Sequence, residues 1–297
     1  MPDGLQWERR PELGNPVLVA AFEGWNDAGD AATGAADWLV RHCEAPGPEP
    51  FATIDPDANI DYQSRRPHVE ISDGVAVGVQ WPLHACYATA WEARDVVVVR
   101  GVEPNLNWRS YCDGIIDVAH ETGCDTVVTF GALLGDVPHT RPVRVTGTST
   151  DTDLVASLGL ATSRYEGPTG IVGVLSDSCR RAGLHTVSLW APVPHYVASP
   201  PNPPATRALL ERFASMAGVS LDLEDLDRLV DLWRTQIDQA LEGNDEMQGY
   251  VRQLELRVDT DDAEEQGVVL GEVDVPSAEE LVGEVEQFLR EQGGDPG

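Results

Sequence analysis

The sequence contains no lysine: all 20 basic residues among its 297 are arginine. Codon bias in a GC-rich genome explains such a replacement without a functional cause. The chemical consequence holds either way, because a chain without lysine cannot form a lysine Schiff base or complete a Walker-type phosphate loop. It also offers no side-chain amine to a lysine-directed tagging system. The absence therefore excludes the enzyme classes that depend on a lysine in these ways.

Long apolar runs are absent as well. No run of about 18 apolar residues occurs, and the first ten residues are polar, so we expect neither a membrane span nor a signal peptide. The sequence predicts a cytoplasmic protein.

Cysteine is scarce and scattered. The five cysteines are odd in number and form no Cys-x-x-Cys pair, which favours reduced thiols over disulfides or a metal site; they are Cys43, Cys86, Cys112, Cys124 and Cys179. The motifs Gly-x-Ser-x-Gly, His-Glu-x-x-His and Gly-x-Gly-x-x-Gly are also missing. We therefore expect no metal and no cofactor, and no known catalytic motif can be identified.

Negative charge is in excess. The formal net charge is −30, which disfavours nucleic acid and anionic membranes as partners because phosphate binding depends on clustered cations. The excess is uneven, since residues 221–297 contain 23 acids and only five arginines. The C-terminal third therefore presents a different kind of surface from the rest.

Three apolar segments that fit strands each end in a loop rich in Gly, Pro, His, Asp and Arg. They are residues 17–22, 126–130 and 186–190. Apolar segments of this kind alternate with segments that fit helices, and a proline-rich stretch precedes a predicted helix at 206–216. This pattern predicts a doubly wound, parallel, three-layer α/β/α domain over residues 14–215, whose strand ends build a site.

The C-terminal part is predicted to be helical. Residues 221–257 carry apolar residues at helical spacing, which indicates a helical hairpin that packs on its own domain or on another subunit. Residues 259–275 are acidic and lack that spacing, so we predict a linker. A capping box and an apolar stripe then predict a helix at 276–292, which needs a docking surface because a helix of that length is marginal alone in water.

The first loop contains Glu23, Trp25, Asn26 and Asp27 where a parallel strand meets a helix N-terminus, so its backbone N–H groups could bind an anion. Asn26 and Asp27 have a simpler alternative role, which is to cap that helix. Trp25 could stack on a ligand or cover the core.

Other candidates lie in later loops. Arginines could grip a carboxylate or phosphate bidentately or could pair with surface acids, and histidines could act as general bases or as structural hydrogen-bonding groups. Short Gly-rich turns before a helix could form a second anion site. These candidates are Tyr62, Arg65 and Arg66; His139 and Arg141; Gly167, Thr169 and Gly170; and His195.

Five segments together resemble the proteasome assembly chaperone 2 family, in its actinobacterial branch. They lie in the order typical of that family at 22–32 (FEGWNDAGDAA), 62–67 (YQSRRP), 138–142 (PHTRP), 166–171 (EGPTGI) and 192–196 (PVPHY). The resemblance implies a three-layer α/β fold similar to purine nucleoside phosphorylases, a homo-oligomer such as a trimer, and protein partners such as proteasome components. Some archaeal members resemble factors that dock through a hydrophobic-Tyr-any C-terminus, and the last residues of this sequence depart from that pattern.

Two functional hypotheses follow. The favoured one is a non-enzymatic assembly or interaction protein, because catalytic motifs are missing and an acidic helical appendage is present. The alternative is a phosphorylase-like or hydrolase-like enzyme, or a binding protein, for a small anionic or nucleoside-type ligand. In that case Glu23, His139 and His195 are the candidate proton-transfer residues, and the arginines orient the anion.

Overall fold

The structure is a computed structural model that describes residues 4–43, 49–149, 161–162 and 167–265. The predicted C-terminal helix at 276–292, and residues 266–275 of the predicted linker, lie outside the described residues. Within the described part of the chain, no helix is long and apolar enough to cross a membrane.

Eleven strands are described. In chain order they are β1 (Leu5–Trp7), β2 (Val17–Glu23), β3 (Ala52–Ile54), β4 (His68–Ser72), β5 (Val75–Gln80), β6 (His84–Thr89), β7 (Val96–Val102), β8 (Thr126–Gly135), β9 (Thr146–Ser149), β10 (Ala161–Thr162) and β11 (His185–Pro194). Nine of them form one sheet in the order β1-β3-β6-β7-β2-β8-β11-β9-β10. β4 and β5 pair only with each other in a separate two-stranded sheet.

The three segments that the sequence predicts as strands are neighbours in the sheet. β2 pairs in parallel with β8, and β8 pairs in parallel with β11 over its whole length. β7 lies on the other side of β2, also parallel. The loops that follow these four strands therefore meet at one edge of the sheet, which we call the strand-end edge.

Helices cover both faces of the sheet. They are α1 (Ala31–Arg41), α2 (Trp108–Thr122), α3 (Ile171–Arg181) and α4 (Pro203–Ala217). Alternate residues of β2 face opposite ways: Val17 and Val19 share a core with α1 and α4, whereas Leu18 and Ala20 share a core with α2 and α3. The predicted α/β fold with helices on both faces is confirmed.

Two details differ from the sequence prediction. The sheet is mixed rather than parallel, because β6 runs antiparallel to β7 and β9 antiparallel to β11. Adjacent antiparallel strands can be joined by short turns, whereas parallel neighbours need long crossovers, and β6 is followed by only a short turn to β7. The second difference is that α4 begins at Pro203 rather than at Thr206. Proline is tolerated in a first helical turn, and the Asn202 side chain caps the helix by accepting a hydrogen bond from the Ala205 N–H at 3.0 Å.

The helical appendage consists of α5 (Glu224–Leu241) and α6 (Asp245–Glu265). Leu226 of α5 is buried in the core cluster that contains α1 and α4, so the appendage packs on its own domain. α6 continues to Glu265, so residues 259–265 are helical where the sequence predicts a linker. Asp259 in this segment accepts a hydrogen bond from Arg141, which lies in the loop after β8, and this contact helps to keep the segment helical.

Candidate functional site

The strand-end edge separates the predicted site residues into three groups. One group lies at the N-termini of α1 and α3, a second lines a cleft beside β4 and β5, and a third lies beneath α5 and α6. The structure therefore does not gather all of the candidates around one reacting centre. Each group has its own geometry.

Asp27 fills the N-terminus of α1 with its own carboxylate. Its Oδ1 accepts hydrogen bonds from the backbone N–H groups of Ala32 at 2.8 Å and Thr33 at 3.1 Å, and the Thr33 hydroxyl donates to its other oxygen. The side chain is buried, and this burial raises the pKa of Asp27 to about 6 although the hydrogen bonds from Thr33 and Ala32 lower it. The helix-capping role considered for Asp27 is the one that its contacts support.

Glu103 occupies the second predicted anion site. It follows β7, and its Oε1 accepts hydrogen bonds from the backbone N–H of Ile171 at 2.9 Å and from the Asn26 amide at 3.1 Å. Ile171 is the first residue of α3, so the carboxylate lies at the positive end of that helix. Asn26 and Glu103 both press against Gly170, where a Cβ atom would overlap them. The 167–170 turn therefore receives an anion from the same chain.

The remaining residues of this turn are exposed. Gly167 and Thr169 face solvent, and the Thr169 hydroxyl donates weakly to the Gly170 carbonyl at 3.4 Å. Trp25, in the loop after β2, is 65% exposed, so it does not cover the core.

The second group lines a cleft of about 290 Å³ beside the β4–β5 hairpin. Glu23 at the end of β2 forms an ion pair with Arg65, and Arg100 on β7 approaches Glu23 at 3.9 Å and pairs with Asp37 of α1. Arg66 lines the same cleft. The volume is at the lower limit of ligand pockets, which typically enclose about 300–1,000 Å³.

Tyr62 lies at the outer rim of this region. Its ring contacts Trp81 edge-to-face with centroids 5.0 Å apart, and its hydroxyl donates to the Asp57 carboxylate. Tyr62 therefore supports the turn before the hairpin, while Trp81 lines the cleft itself.

The third group begins with His139, which is buried and bonded on both ring nitrogens. Nδ1 lies 2.8 Å from the Tyr196 hydroxyl, and Nε2 lies 3.0 Å from Oδ1 of Asp238 on α5. The Tyr196 hydroxyl also accepts from the His139 backbone N–H at 2.8 Å. A histidine held in this way connects the strand-end loop to the helical appendage.

Arg141 makes the strongest polar contact with α6. Its guanidinium bonds Asp259 through Nε and Nη2, both at 2.8 Å, and Nη1 reaches Glu255 at 3.2 Å. The hydrogen bond from Arg141 holds the pKa of Asp259 below its usual value. Arg141 therefore pairs with acids of its own chain, which is the second of the two roles that the sequence allowed for the arginines.

The space beneath these helices is small. A cavity of about 40 Å³ lies between the 137–144 loop and the appendage, and it is lined mainly by proline, valine and Trp233 side chains. Such a volume accommodates about one water molecule and no nucleoside. His195 lies beside it, half-exposed, 3.3 Å from Asp136 and with its ring packed edge-to-face against Tyr250 of α6.

Several functional partners were not among the sequence candidates. Glu103 and Arg100 belong to β7 and its following loop, and applying the strand-end rule to this fourth parallel strand would have indicated them. Asp238, Glu255 and Asp259 carry no local signal in a region so rich in acids. Within the described residues, no three His, Cys, Asp or Glu side chains come together in a way that could hold a metal ion.

Comparison with known proteins identifies the family. The sequence model of the PAC2 family matches residues 21–241. The chain belongs to the PAC2 family. A PAC2 family protein from Streptomyces avermitilis is 46% identical, with 80% of this chain and 99% of that chain covered and a TM-score of 0.71. A Mycobacterium tuberculosis protein described as a proteasome-assembly chaperone homologue is 44% identical, with 79% and 99% covered and a TM-score of 0.73.

A more distant structure extends the similarity over more of the chain. A Mycobacterium tuberculosis protein of unknown function is 27% identical, with 88% of this chain and 92% of that chain covered and a TM-score of 0.80. No curated protein matches the sequence. The resemblance found in the five sequence segments is therefore confirmed for this PAC2 protein.

Proposed function

We propose that this PAC2 protein is a non-enzymatic assembly protein that acts by binding other proteins, with proteasome components as its partners. The proposal includes self-association and a cytoplasmic location. Family membership supports it, as does the 44% identical relative that is described as a proteasome-assembly chaperone homologue.

The observation that carries the proposal is the internal use of the polar groups at the strand-end edge. Asp27 and Glu103 fill the N-termini of α1 and α3. His139 and Arg141 hold the helical appendage. An enzyme for an anionic substrate needs such groups free to bind or to exchange protons, whereas a scaffold that presents a rigid surface needs them satisfied.

The same edge presents exposed apolar side chains. Trp25 is 65% exposed, Leu106 and Leu134 are each 52% exposed, and Leu133 is 45% exposed. Trp25 follows β2, Leu106 follows β7, and Leu133 and Leu134 lie near the end of β8. Tryptophan in particular is enriched among residues that dominate the energy of protein interfaces. This apolar rim is therefore our candidate for the partner-binding surface.

Binding to purified proteasome subunits tests the proposal. We expect the full-length protein to bind α-type or β-type subunits from its own organism in sedimentation velocity runs. We expect Trp25→Ala to weaken that binding by about 30-fold or more, because truncation of a hot-spot residue costs about 2 kcal/mol or more. Leu232→Ala is the matched control, since Leu232 is a 60% exposed apolar residue on α5. Absence of binding by the wild type would contradict the proposal, and equal effects of the two variants would contradict the assignment of the rim.

A second candidate function rests on the cleft beside the hairpin. Glu23, Arg65, Arg66 and Arg100 come together there from separate segments of the chain. Arg65 pairs with Glu23 and Arg100 with Asp37, so three guanidiniums lie near two acids, and their excess of positive charge suits a small anionic ligand. Native mass spectrometry of the gently purified protein, followed by calorimetry with inorganic phosphate, tests this. Arg109, an exposed arginine of α2, provides the control. Phosphate binding that is lost in Arg66→Ala and kept in Arg109→Ala would support the ligand-binding function.

A further inference from the structure

The β4–β5 hairpin is an apolar surface that the described part of its own chain leaves uncovered. Every residue of β4 is exposed, and five of the six residues of β5 are exposed too. Val69, Ile71, Val77 and Val79 are each between 52% and 65% exposed. A single two-stranded hairpin is marginally stable in water, so a hairpin of this composition favours contact with another surface.

The two faces of the hairpin differ in chemistry. His68 pairs with Gln80, and both line the cleft, where the Gln80 amide also donates to Glu70. Successive residues of a strand point to opposite faces, so the next pair, Val69 with Val79, faces away from the cleft. Ile71 shares that outer face. On β5 the register shifts by one residue beyond Gly78, so that Val75 pairs with Ser72. The polar face toward the cleft is therefore formed by His68, Gln80 and Glu70, and the apolar face toward solvent by Val69, Val79 and Ile71.

Charge indicates which molecule covers the outer face. The outer-face residues Val69, Ile71 and Val79 carry no charge, in a chain whose formal charge is −30. The two acids of the hairpin lie elsewhere, Glu70 on the cleft face and Asp73 in the turn between the strands. Two copies of such a chain repel each other over most of their surfaces, and the repulsion is weakest where acids are missing. A basic partner, in contrast, would be attracted to the acidic helices α5 and α6 rather than to this uncharged face.

We propose that the outer face of the β4–β5 hairpin is the self-association surface of this protein and that a second copy of the chain covers it. The inference deepens the self-association included in the proposed function by naming its location. No third strand of the described residues pairs with the hairpin, so its two outer strand edges can pair with the same element of the second copy. Because the interface is uncharged and the rest of the molecule is acidic, salt strengthens the association by screening the repulsion between the two copies.

Two neighbouring substitutions test the location. Ile71→Glu places a carboxylate on the outer face, and Ser72→Glu adds the same charge one residue further on the opposite face. Both positions are exposed, so both variants should keep the thermal stability of the wild type. In sedimentation velocity over a micromolar dilution series of the full chain, we expect Ile71→Glu to raise the dissociation constant about 30-fold or more, since loss of a buried Ile side chain costs about 2–3 kcal/mol. Ser72→Glu should change it several-fold at most.

Three outcomes would overturn the proposal. The wild type could be monomeric at all concentrations, Ile71→Glu could associate as the wild type does, or added salt could dissociate the oligomer. Hydrogen exchange identifies other occupants: if the hairpin amides stay protected in a monomeric protein, another segment of the same chain covers them and the second copy does not. A wild type that self-associates through the hairpin but binds no proteasome subunit would contradict the proposed function and leave this inference standing.

Discussion

Replacement of Glu103 by alanine tests whether the strand-end edge is internally satisfied. The Glu103 carboxylate accepts from the Ile171 N–H at the start of α3 and from the Asn26 side chain in the loop after β2. It thus joins segments that lie 77 and 68 residues away in sequence. Its removal leaves the first turn of α3 uncapped and leaves the amide of Asn26, which is only 3% exposed, without this acceptor.

The expected loss of stability is the sum of two effects. An uncapped helix N-terminus costs about 1 kcal/mol, and a buried amide donor without an acceptor costs about 1–3 kcal/mol. Glu103→Ala should therefore lower the free energy of unfolding by about 3 kcal/mol, which corresponds to a fall in Tm of about 6–12 °C for a domain of this size. Glu103→Gln keeps an acceptor oxygen but loses the charge, so it should cost only about 1 kcal/mol.

Urea unfolding and hydrogen exchange measure the effect. We expect faster exchange in the first turn of α3 and an unchanged rate in α2, which Glu103 does not cap. Phosphate should stabilise Glu103→Ala more than the wild type, because the vacated N-terminus of α3 can then bind an anion. The control is Glu92→Ala, which removes an exposed acid. A Glu103→Ala protein as stable as this control would refute the reasoning that Glu103 fills the anion site.

Three further predictions concern α6, Asp27 and the thiols. Arg141→Ala should accelerate amide exchange in α6 while Arg109→Ala does not, and equal exchange rates would show that the ion pairs with Asp259 and Glu255 do not hold the helix. Burial raises the pKa of Asp27 from 3.8 to about 6, so the native state binds this proton more tightly than the unfolded chain does. The wild type should therefore lose up to about 3 kcal/mol relative to Asp27→Asn as the pH rises from about 4 to about 6, and parallel pH profiles in urea unfolding would contradict this. A maleimide should label Cys43 in the native protein well before the four buried cysteines, whose thiol pKa values are raised by burial; labelling of all five at one rate would contradict the burial assigned to Cys86, Cys112, Cys124 and Cys179.

The positions of three central strands in the chain could be predicted because burial shapes their sequence, whereas the order of the strands in the sheet could not. β2, β8 and β11 lie between two helical layers, so they read as nearly continuous apolar runs, and each ends where polar loop residues begin. The start of α3 after Gly170 and the seam of α5 were also visible as local patterns. Such signals come from residues close together in the chain.

The partners of the site residues could not be predicted because they are distant in sequence. Arg141 meets Asp259, 118 residues later, and His139 meets Asp238, 99 residues later. With 50 acids in the chain, the sequence could indicate that arginines would find carboxylates but not which ones. The mixed edges of the sheet were missed for a similar reason, since short strands such as β3 and β9 carry too few residues to reveal their direction.

The polar groups of the strand-end edge are hydrogen-bonded within the chain while apolar groups are exposed, and this distribution favours protein recognition over catalysis. At the strand-end edge the buried carboxylates are bonded, whereas the exposed groups that remain are mainly apolar, with Trp25 foremost. The hairpin repeats this pattern, because its polar face borders its own cleft and its apolar face is open. Binding through surfaces of this kind depends on shape and on apolar burial, so it should persist at high salt. The acidic remainder of the molecule then limits which partners approach these two apolar surfaces.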